Sequence, residues 1–494
     1  MASELKKKAV KSVAWVSIGQ VARQLMSLVV TGVLARLLMP EAFGLVGMAA
    51  VFLAVMETFQ ELGLSSAVIQ RQDVTEEQLS TVFSITIICG IAIAAVVAVA
   101  SPLIAAFYHK PELAPITRLM GLSFFITSFL HIPQALLKKA LHFRTLVLIQ
   151  IGVGLGSSAV SVILAFLGLG VYALVWGNLV NDLLLVAAVW AAVGWRPTVM
   201  PRLASAWKLI AFGGNFTGAG VCYYIRSSAD SLLIGRFVGA TALGIYGMAY
   251  RIMLLPMRRV TWSLSQIAFP IFSVVQDDKD RVARGYLQMA HIVALVTFPA
   301  MAGLVIVAPE AVRVVLGEKW MRAAFLIQVL ALIGALQAVS APVSNVLRSQ
   351  GRPDLQFGYE AFAAVVAVVG FLVGLRWDVE GIAVSYSVTQ VLVTPILLHL
   401  GFRLVGLSFR AFFAALRGPA FATLAMALSV LLYREYGLKV AGLGPLWLLG
   451  SEMVIGVTVY ALVLLLIAPG TYTDLISLVN VLIGKTKSEA VPAA

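Results

Sequence analysis

About fourteen apolar stretches of roughly 20 residues or more follow one another along this chain, each long enough to cross bilayer hydrocarbon as a helix. They run over roughly 10–38, 43–69, 79–107, 115–137, 145–168, 171–194, 207–235, 242–274, 284–308, 323–347, 355–375, 379–402, 411–432 and 446–468. The longest gaps hold about a dozen residues, as in PEAVRVVLGEKWMR at 309–322, which leaves no room for a soluble catalytic domain. Of the 494 residues, 61% are hydrophobic and 12% charged, where an ordinary soluble protein carries about 25% charge. No soluble fold of this size hides so much apolar surface. The expected class is an all-α integral membrane protein. Cys89 and Cys222 lie inside apolar stretches, which excludes a disulfide framework and a cysteine-based zinc site.

The 36 Lys and Arg outnumber the 23 Asp and Glu, a formal charge of +13. In a soluble chain that excess would raise the question of nucleic acid. Here the basic residues fall mostly in the short gaps, so they report topology instead. Lys6, Lys7, Lys8 and Lys11 precede a first stretch that is too long for a signal peptide. That stretch also carries Gln20, Arg23 and Gln24 and is expected to be retained as helix one. With the N-terminus inside, the cytoplasmic segments hold about three times as many Lys and Arg as the external ones. An even number of spans follows, with both termini cytoplasmic.

An internal repeat appears at an offset of 200 residues: LARLLMPEAFGLVGMA (34–49) aligns with IGRFVGATALGIYGMA (234–249). Arg36/Arg236, Ala42/Ala242, Gly44/Gly244, Gly47/Gly247, Met48/Met248 and Ala49/Ala249 are identical. Helices one and two therefore correspond to seven and eight, and the repeating unit is six helices. Both copies enter the membrane in the same direction, so two six-helix bundles related by a pseudo-twofold axis along the membrane normal are expected. The expected lobes are 1–200 and 201–405, followed by two additional transmembrane helices in 406–470 and a cytoplasmic tail, 471–494. Such a layout suits a transporter that rocks one lobe against the other.

Ionisable residues near the centres of these stretches are the candidate site. They are Arg23, Arg226, Arg251, Arg258 and Arg259 on the basic side and Glu57, Glu61, Asp182 and Asp230 on the acidic side. A central arginine costs about 2.5–3.5 kcal/mol to insert, so five facing lipid would cost on the order of 12–17 kcal/mol. They are expected to face protein or water. At the repeat offset, Arg226 and Asp230 map onto positions 26 and 30, which share a helical stripe with Arg23. Arg251 and Arg258 are seven apart on one face of helix eight. The four helices thus point charge toward a shared, net cationic place, in which the arginines bind substrate and the acids couple an ion or balance charge. Structural roles compete at several positions: Arg226 and Asp230 are spaced to pair as i, i+4, Glu57 can neutralise an arginine, and Arg259 can snorkel.

A wet cationic cleft asks for an anion, and guanidinium forks suit phosphate oxygens. A lipid-linked diphosphate offers that group at membrane depth, with its tail in lipid and its glycan in water; a soluble anion also fits the charge. Gly152, Gly154 and Gly156 form GxGxG inside an apolar helix, where close helix packing explains them better than nucleotide binding. His109, His131, His142, His291 and His399 are scattered without ligand spacing, and no HExxH, GxSxG or P-loop pattern occurs. No catalytic or metal site is expected, and the chain is not expected to be an enzyme.

The blocks GQVARQLMSLVVTGVLARLLMPEAFGLVGMA (19–49) and ELGLSSAVIQRQDVTEEQLSTVF (61–83) resemble the polysaccharide-transporter family of bacterial Wzx-type flippases. The second block looks like the branch of colanic-acid and succinoglycan exporters. The family lies in the superfamily that also holds drug/toxin extruders and the lipid II flippase. The resemblance implies two six-helix lobes in a V plus two extra helices. It implies translocation of an undecaprenyl-diphosphate-linked oligosaccharide repeat from the cytoplasmic to the periplasmic leaflet of the bacterial inner membrane, for exopolysaccharide, capsule or O-antigen synthesis. It further implies substrate-binding cavity arginines, carried over here to Arg23 and Arg226, and turnover driven by an H+ or Na+ gradient, with no other cofactor. Expected partners are the lipid-linked oligosaccharide, membrane lipid, a polysaccharide polymerase and chain-length or export proteins. A drug/cation antiporter is the alternative, disfavoured because five arginines repel an organic cation. A membrane polysaccharide polymerase is disfavoured by the short loops, and a scaffold subunit is a further alternative.

Overall fold

The computed structural model describes residues 2–61, 65, 68–69, 74–197, 228–437 and 444–467. Most of the stretch expected at 207–235, the lobe boundary at 200 and the tail 471–494 lie outside the described residues. The described residues are helical, with no strand among them. The first helices are α1 (Ala2–Leu37), α2 (Pro40–Glu61), α3 (Glu76–Tyr108), α4 (Leu113–Ser128), α5 (His131–Lys139), α6 (Phe143–Phe166), α7 (Val171–Ala192) and α8 (Ala229–Leu233). Then come α9 (Ala240–Val274), α10 (Lys279–Ala311), α11 (Met321–Ser340), α12 (Val343–Ser349), α13 (Pro353–Gly374), α14 (Asp378–Val405), α15 (Phe409–Leu432) and α16 (Pro445–Ile467). Among the described residues nine stretches are long and apolar enough to cross a membrane, or ten if α4 and α5, bent by 44°, count as one span. The protein is a multi-pass membrane protein.

The described residues divide into two compact units, one up to Gly244 and the other from Ile245. In the first, α3 packs on α4, α6 on α7 and α1 on α6, while α2 rests against α3, α4 and α7. The α3 N-terminus is set by a capping box in which Thr75 and Gln78 satisfy each other's backbone N–H groups. Phe83 meets Phe129, Trp190 and Trp195 edge-on, with ring centroids 5.5–6.1 Å apart. In the second unit, α10 is central: α11, α14, α15 and α16 all pack on it. Tyr286 of α10 lies against Phe402 and Phe412 at the middle of a buried cluster.

Prolines leave carbonyls in these helices without their usual donor, and side chains clasp several of them. A proline lacks the N–H that would bond the carbonyl four residues earlier, and in lipid that carbonyl needs another donor. Pro133 frees the carbonyl of Phe129, and the Trp190 indole N–H donates to it at 2.9 Å. Pro299 frees Leu295, which accepts from the Tyr460 hydroxyl at 2.7 Å. Pro309 frees Val305, which accepts from Gln328 Nε2 at 2.9 Å. Pro419 frees Ala415, whose oxygen lies 2.8 Å from His291 Nδ1. At Pro102 the donor is local, Ser101 Oγ to Ala98 at 2.8 Å. Two of these clasps, through Tyr460 and His291, fasten α16 and α15 to α10.

The repeat has a structural counterpart inside the first unit. A Cβ on Gly44 would overlap the Ala240 carbonyl, and a Cβ on Gly244 would overlap the Pro40 carbonyl. Positions 40 and 44 correspond to 240 and 244 at the 200-residue offset, so the contact is reciprocal. The first turns of α2 and α9 cross backbone to backbone there, which only glycine permits.

Candidate functional site

Arg23 lies on α1 between Gly19 and Met26, on the stripe that packs against α6. A Cβ on Gly19 would overlap Val147, and one on Gly154 would stand 2.5 Å from Met26 Cε. The GxGxG run thus includes a helix-packing glycine, while Gly152 faces open space. Arg23 itself is half-buried and has no hydrogen-bond or ion-pair partner among the described residues.

Across the same unit runs a chain of polar side chains. Gln60 of α2, 3% exposed, donates from Nε2 to the Phe124 carbonyl at 2.7 Å and to Thr127 Oγ1 at 2.9 Å on α4. Thr127 donates to the Ser123 carbonyl at 2.6 Å. The half-buried Asp182 carboxylate of α7 is within hydrogen-bonding reach of the Ser123 and Asn181 side chains. Ser157 of α6 donates to Asn181 Oδ1 at 3.3 Å. Each member offsets the cost of placing the next in an apolar helix bundle. Glu57, one turn before Gln60, is exposed and has no partner among the described residues. Asp230 is 9% exposed and accepts from the Ser231 backbone N–H at 2.6 Å, and its helix α8 rests on α2.

In the second unit Arg251 is exposed on α9. One residue before it, Tyr250 stacks on Tyr246 at 6.0 Å and meets Tyr386 edge-on at 6.5 Å. Tyr386 in turn stacks on Phe371 at 5.9 Å and accepts from Gln337 Nε2 at 2.8 Å. Arg226 lies outside the described residues, as do the side chains of Arg258, Arg259 and Glu61, whose backbones are helical. The described geometry thus gathers Asp182 into a polar network of α2, α4, α6 and α7, leaves Arg23 unpaired on the α6 side of α1, and puts Glu57 at the network's edge.

Sequence reading passed over Gln60, Ser123, Thr127 and Ser157, which are spread over three helices with no common spacing. It also passed over a charged group in the second unit, formed by Glu310, Arg434 and Glu452. Arg434 Nη2 donates to Glu310 Oε1, and Glu452 is 1% exposed in α16. A carboxylate inside the apolar stretch 446–468 was the available signal. Among the described residues no group of three or more His, Cys, Asp or Glu side chains is arranged to hold a metal ion.

A family model described as polysaccharide biosynthesis protein matches residues 33–325. The chain is 33% identical over 343 residues to the teichuronic acid biosynthesis protein TuaB of Bacillus subtilis (strain 168), across 64% of this chain and 71% of that one. It is 25% identical over 424 residues to the lipopolysaccharide biosynthesis protein WzxC of Escherichia coli (strain K12), across 85% and 86% of the two chains. Its fold follows that of the lipid II flippase MurJ in an inward closed conformation, with a TM-score of 0.73 and 16% identity over 93% of this chain and 99% of that one.

Proposed function

This chain belongs to the polysaccharide biosynthesis protein family, and from that membership we propose that it carries a lipid-linked oligosaccharide across the bacterial inner membrane. The cargo is an undecaprenyl-diphosphate-linked repeat unit, moved from the cytoplasmic to the periplasmic leaflet by alternating access, with both chain termini in the cytoplasm. The chain acts as a transporter and not as an enzyme, feeding a polymerase and export proteins on the far side. The family match and the flippase-like fold support the class of activity, and the relatives' names supply the polysaccharide context.

Unpaired Arg23 is the observation that carries the chemistry. A half-buried guanidinium with no carboxylate partner among the described residues retains its donors for an incoming anion, and its planar fork matches two phosphate oxygens. Arg226, Arg251, Arg258 and Arg259 are the further cationic contacts in this reading. Asp182, within its hydroxyl and amide shell, is the candidate for an H+ or Na+ that resets the carrier, with Glu57, Glu61 and Asp230 balancing charge. A membrane potential is worth about 2.3 kcal/mol per charge per 100 mV, so two negative charges leaving the cytoplasm gain roughly 4–5 kcal/mol per 100 mV.

Purified protein in vesicles loaded with a radiolabelled undecaprenyl-diphosphate oligosaccharide tests the reading. Label crossing to the opposite leaflet is the expected result. Lengthening of the glycan chain would identify a polymerase, and no movement under any ion gradient or potential would overturn the proposal.

A further inference from the structure

Glu452 is 1% exposed, and neither of its carboxyl oxygens has a hydrogen-bond partner among the described residues. It lines a cavity of about 540 Å³ whose other walls include Leu295, Pro299, Met426, Val430 and Val457. Within electrostatic reach are Glu310 of α10 and Arg434, in the π-helical turn Tyr433–Gly437 that follows α15. Arg434 Nη2 donates to Glu310 Oε1, and Nη1 donates to the Ile306 carbonyl at 2.9 Å. Glu310 Oε2 is buried and has no donor among the described residues.

Among the described residues the surrounding elements bring no second cation to this spot. Arg313, in the turn Val312–Leu316 after α10, is held by Glu318 at 2.7 Å. Tyr433 donates to Ser451 Oγ at 3.0 Å, and Tyr460 donates to the Leu295 carbonyl. From α9 the cavity receives Ile252, Leu255 and Pro256. Among the described residues, two carboxylates and one guanidinium therefore leave one negative charge among apolar walls, where an uncompensated carboxylate is strongly disfavoured. One proton restores neutrality, and Glu310 Oε2 is an acceptor lacking a donor.

We infer that Glu310, Arg434 and Glu452 form a proton-binding site that holds one exchangeable proton on Glu452. The Arg434 side chain is 31% exposed and is the cluster's outermost member. Loss of the proton turns a neutral cluster net negative, so any step that wets Glu452 carries a proton with it. The inference is independent of what the protein transports.

Infrared spectroscopy of the full-length protein in nanodiscs, titrated upward from neutral pH, reads the site directly. Recorded in an Asp182→Asn background, which removes the other candidate proton carrier, the expected signature is a protonated-carboxyl C=O band that shifts in D2O, is absent in Glu452→Gln and is retained in Glu318→Gln. Glu310→Gln supplies a second arm. It removes the competing carboxylate and leaves Arg434 free to neutralise ionised Glu452, so the band should vanish although Glu452 is still present. A band that survives Glu452→Gln, or is unchanged in Glu310→Gln, or never appears in the wild type, overturns the proposal. If Glu452→Gln does not fold, the Glu310→Gln arm decides.

Discussion

Arg23 and Asp182 show two ways in which a charge can be kept inside an apolar helix bundle. Asp182 has side chains that can donate to it, whereas Arg23 has donors and no acceptor among the described residues. Removing a hydrogen bond to a charged group costs about 1.5–3 kcal/mol, or roughly ten- to a hundredfold in affinity. Arg23→Ala is therefore expected to lower leaflet-to-leaflet transport by at least about tenfold with normal membrane insertion, measured by vesicle flux and protein yield. Arg23→Lys should fall between the two, because a point charge loses the paired geometry. Normal flux in Arg23→Ala would make that arginine a packing residue of the α1–α6 contact. Asp182→Asn keeps an acceptor for Ser123 but loses its charge. Its flux should become indifferent to the H+ or Na+ gradient while its thermal stability stays within about 1 kcal/mol of wild type. Asp182 and Arg23 were legible in the sequence because a lone charge in an apolar run is costly enough to need a reason. Gln60 and Ser157 were not, since uncharged polar residues are tolerated in such helices and only the fold brings them into line.

At the scale of helices, apolar runs foretell most of the elements. The expected 145–168 and 411–432 become Phe143–Phe166 and Phe409–Leu432, since bilayer thickness and helical rise together set the length. The expected 115–137 instead breaks into α4 and α5, bent by 44°. Pro133 explains the break: hydropathy does not register a missing N–H. The clasp across that break gives a direct test. Trp190→Phe retains most of the ring packing but leaves the Phe129 carbonyl without its donor, a loss of about 1–3 kcal/mol. The variant should unfold several degrees lower in detergent, and an unchanged melting temperature would mean that another donor takes over. The reciprocal crossing at Gly44 and Gly244 should tolerate less. Gly44→Ala pushes a methyl group into a backbone oxygen, with overpacking costs of about 1–3 kcal/mol or more. Adding Gly244→Ala should cost less than the sum of the two single changes, because both strain one contact. The repeat made that pair of glycines visible in the sequence, but not that they face each other's partner turns. Glu452 lies on α16, which the repeat does not include, so a reading keyed to the repeat passes over it.

For the molecule as a whole, the distribution of basic residues makes a claim that no single helix makes. Both termini should be cytoplasmic, and reporter fusions at residue 1 and residue 494 should report the same, inner side. Opposite sides would require an odd number of spans. The overall class follows from length and hydropathy, and the family, whose model matches residues 33–325, is legible in two short sequence blocks. The clasps between helices could be found only in three dimensions, because each pairs a proline with a donor far away in the chain. That pairing has an evolutionary corollary. Pro299 and Tyr460, or Pro419 and His291, are of little use apart: a lineage that replaces the proline no longer needs the donor, and one that loses the donor is driven to replace the imino acid. Aligned relatives should therefore show these distant positions changing in tandem, so that inheritance itself records which carbonyls are held by a far-off donor.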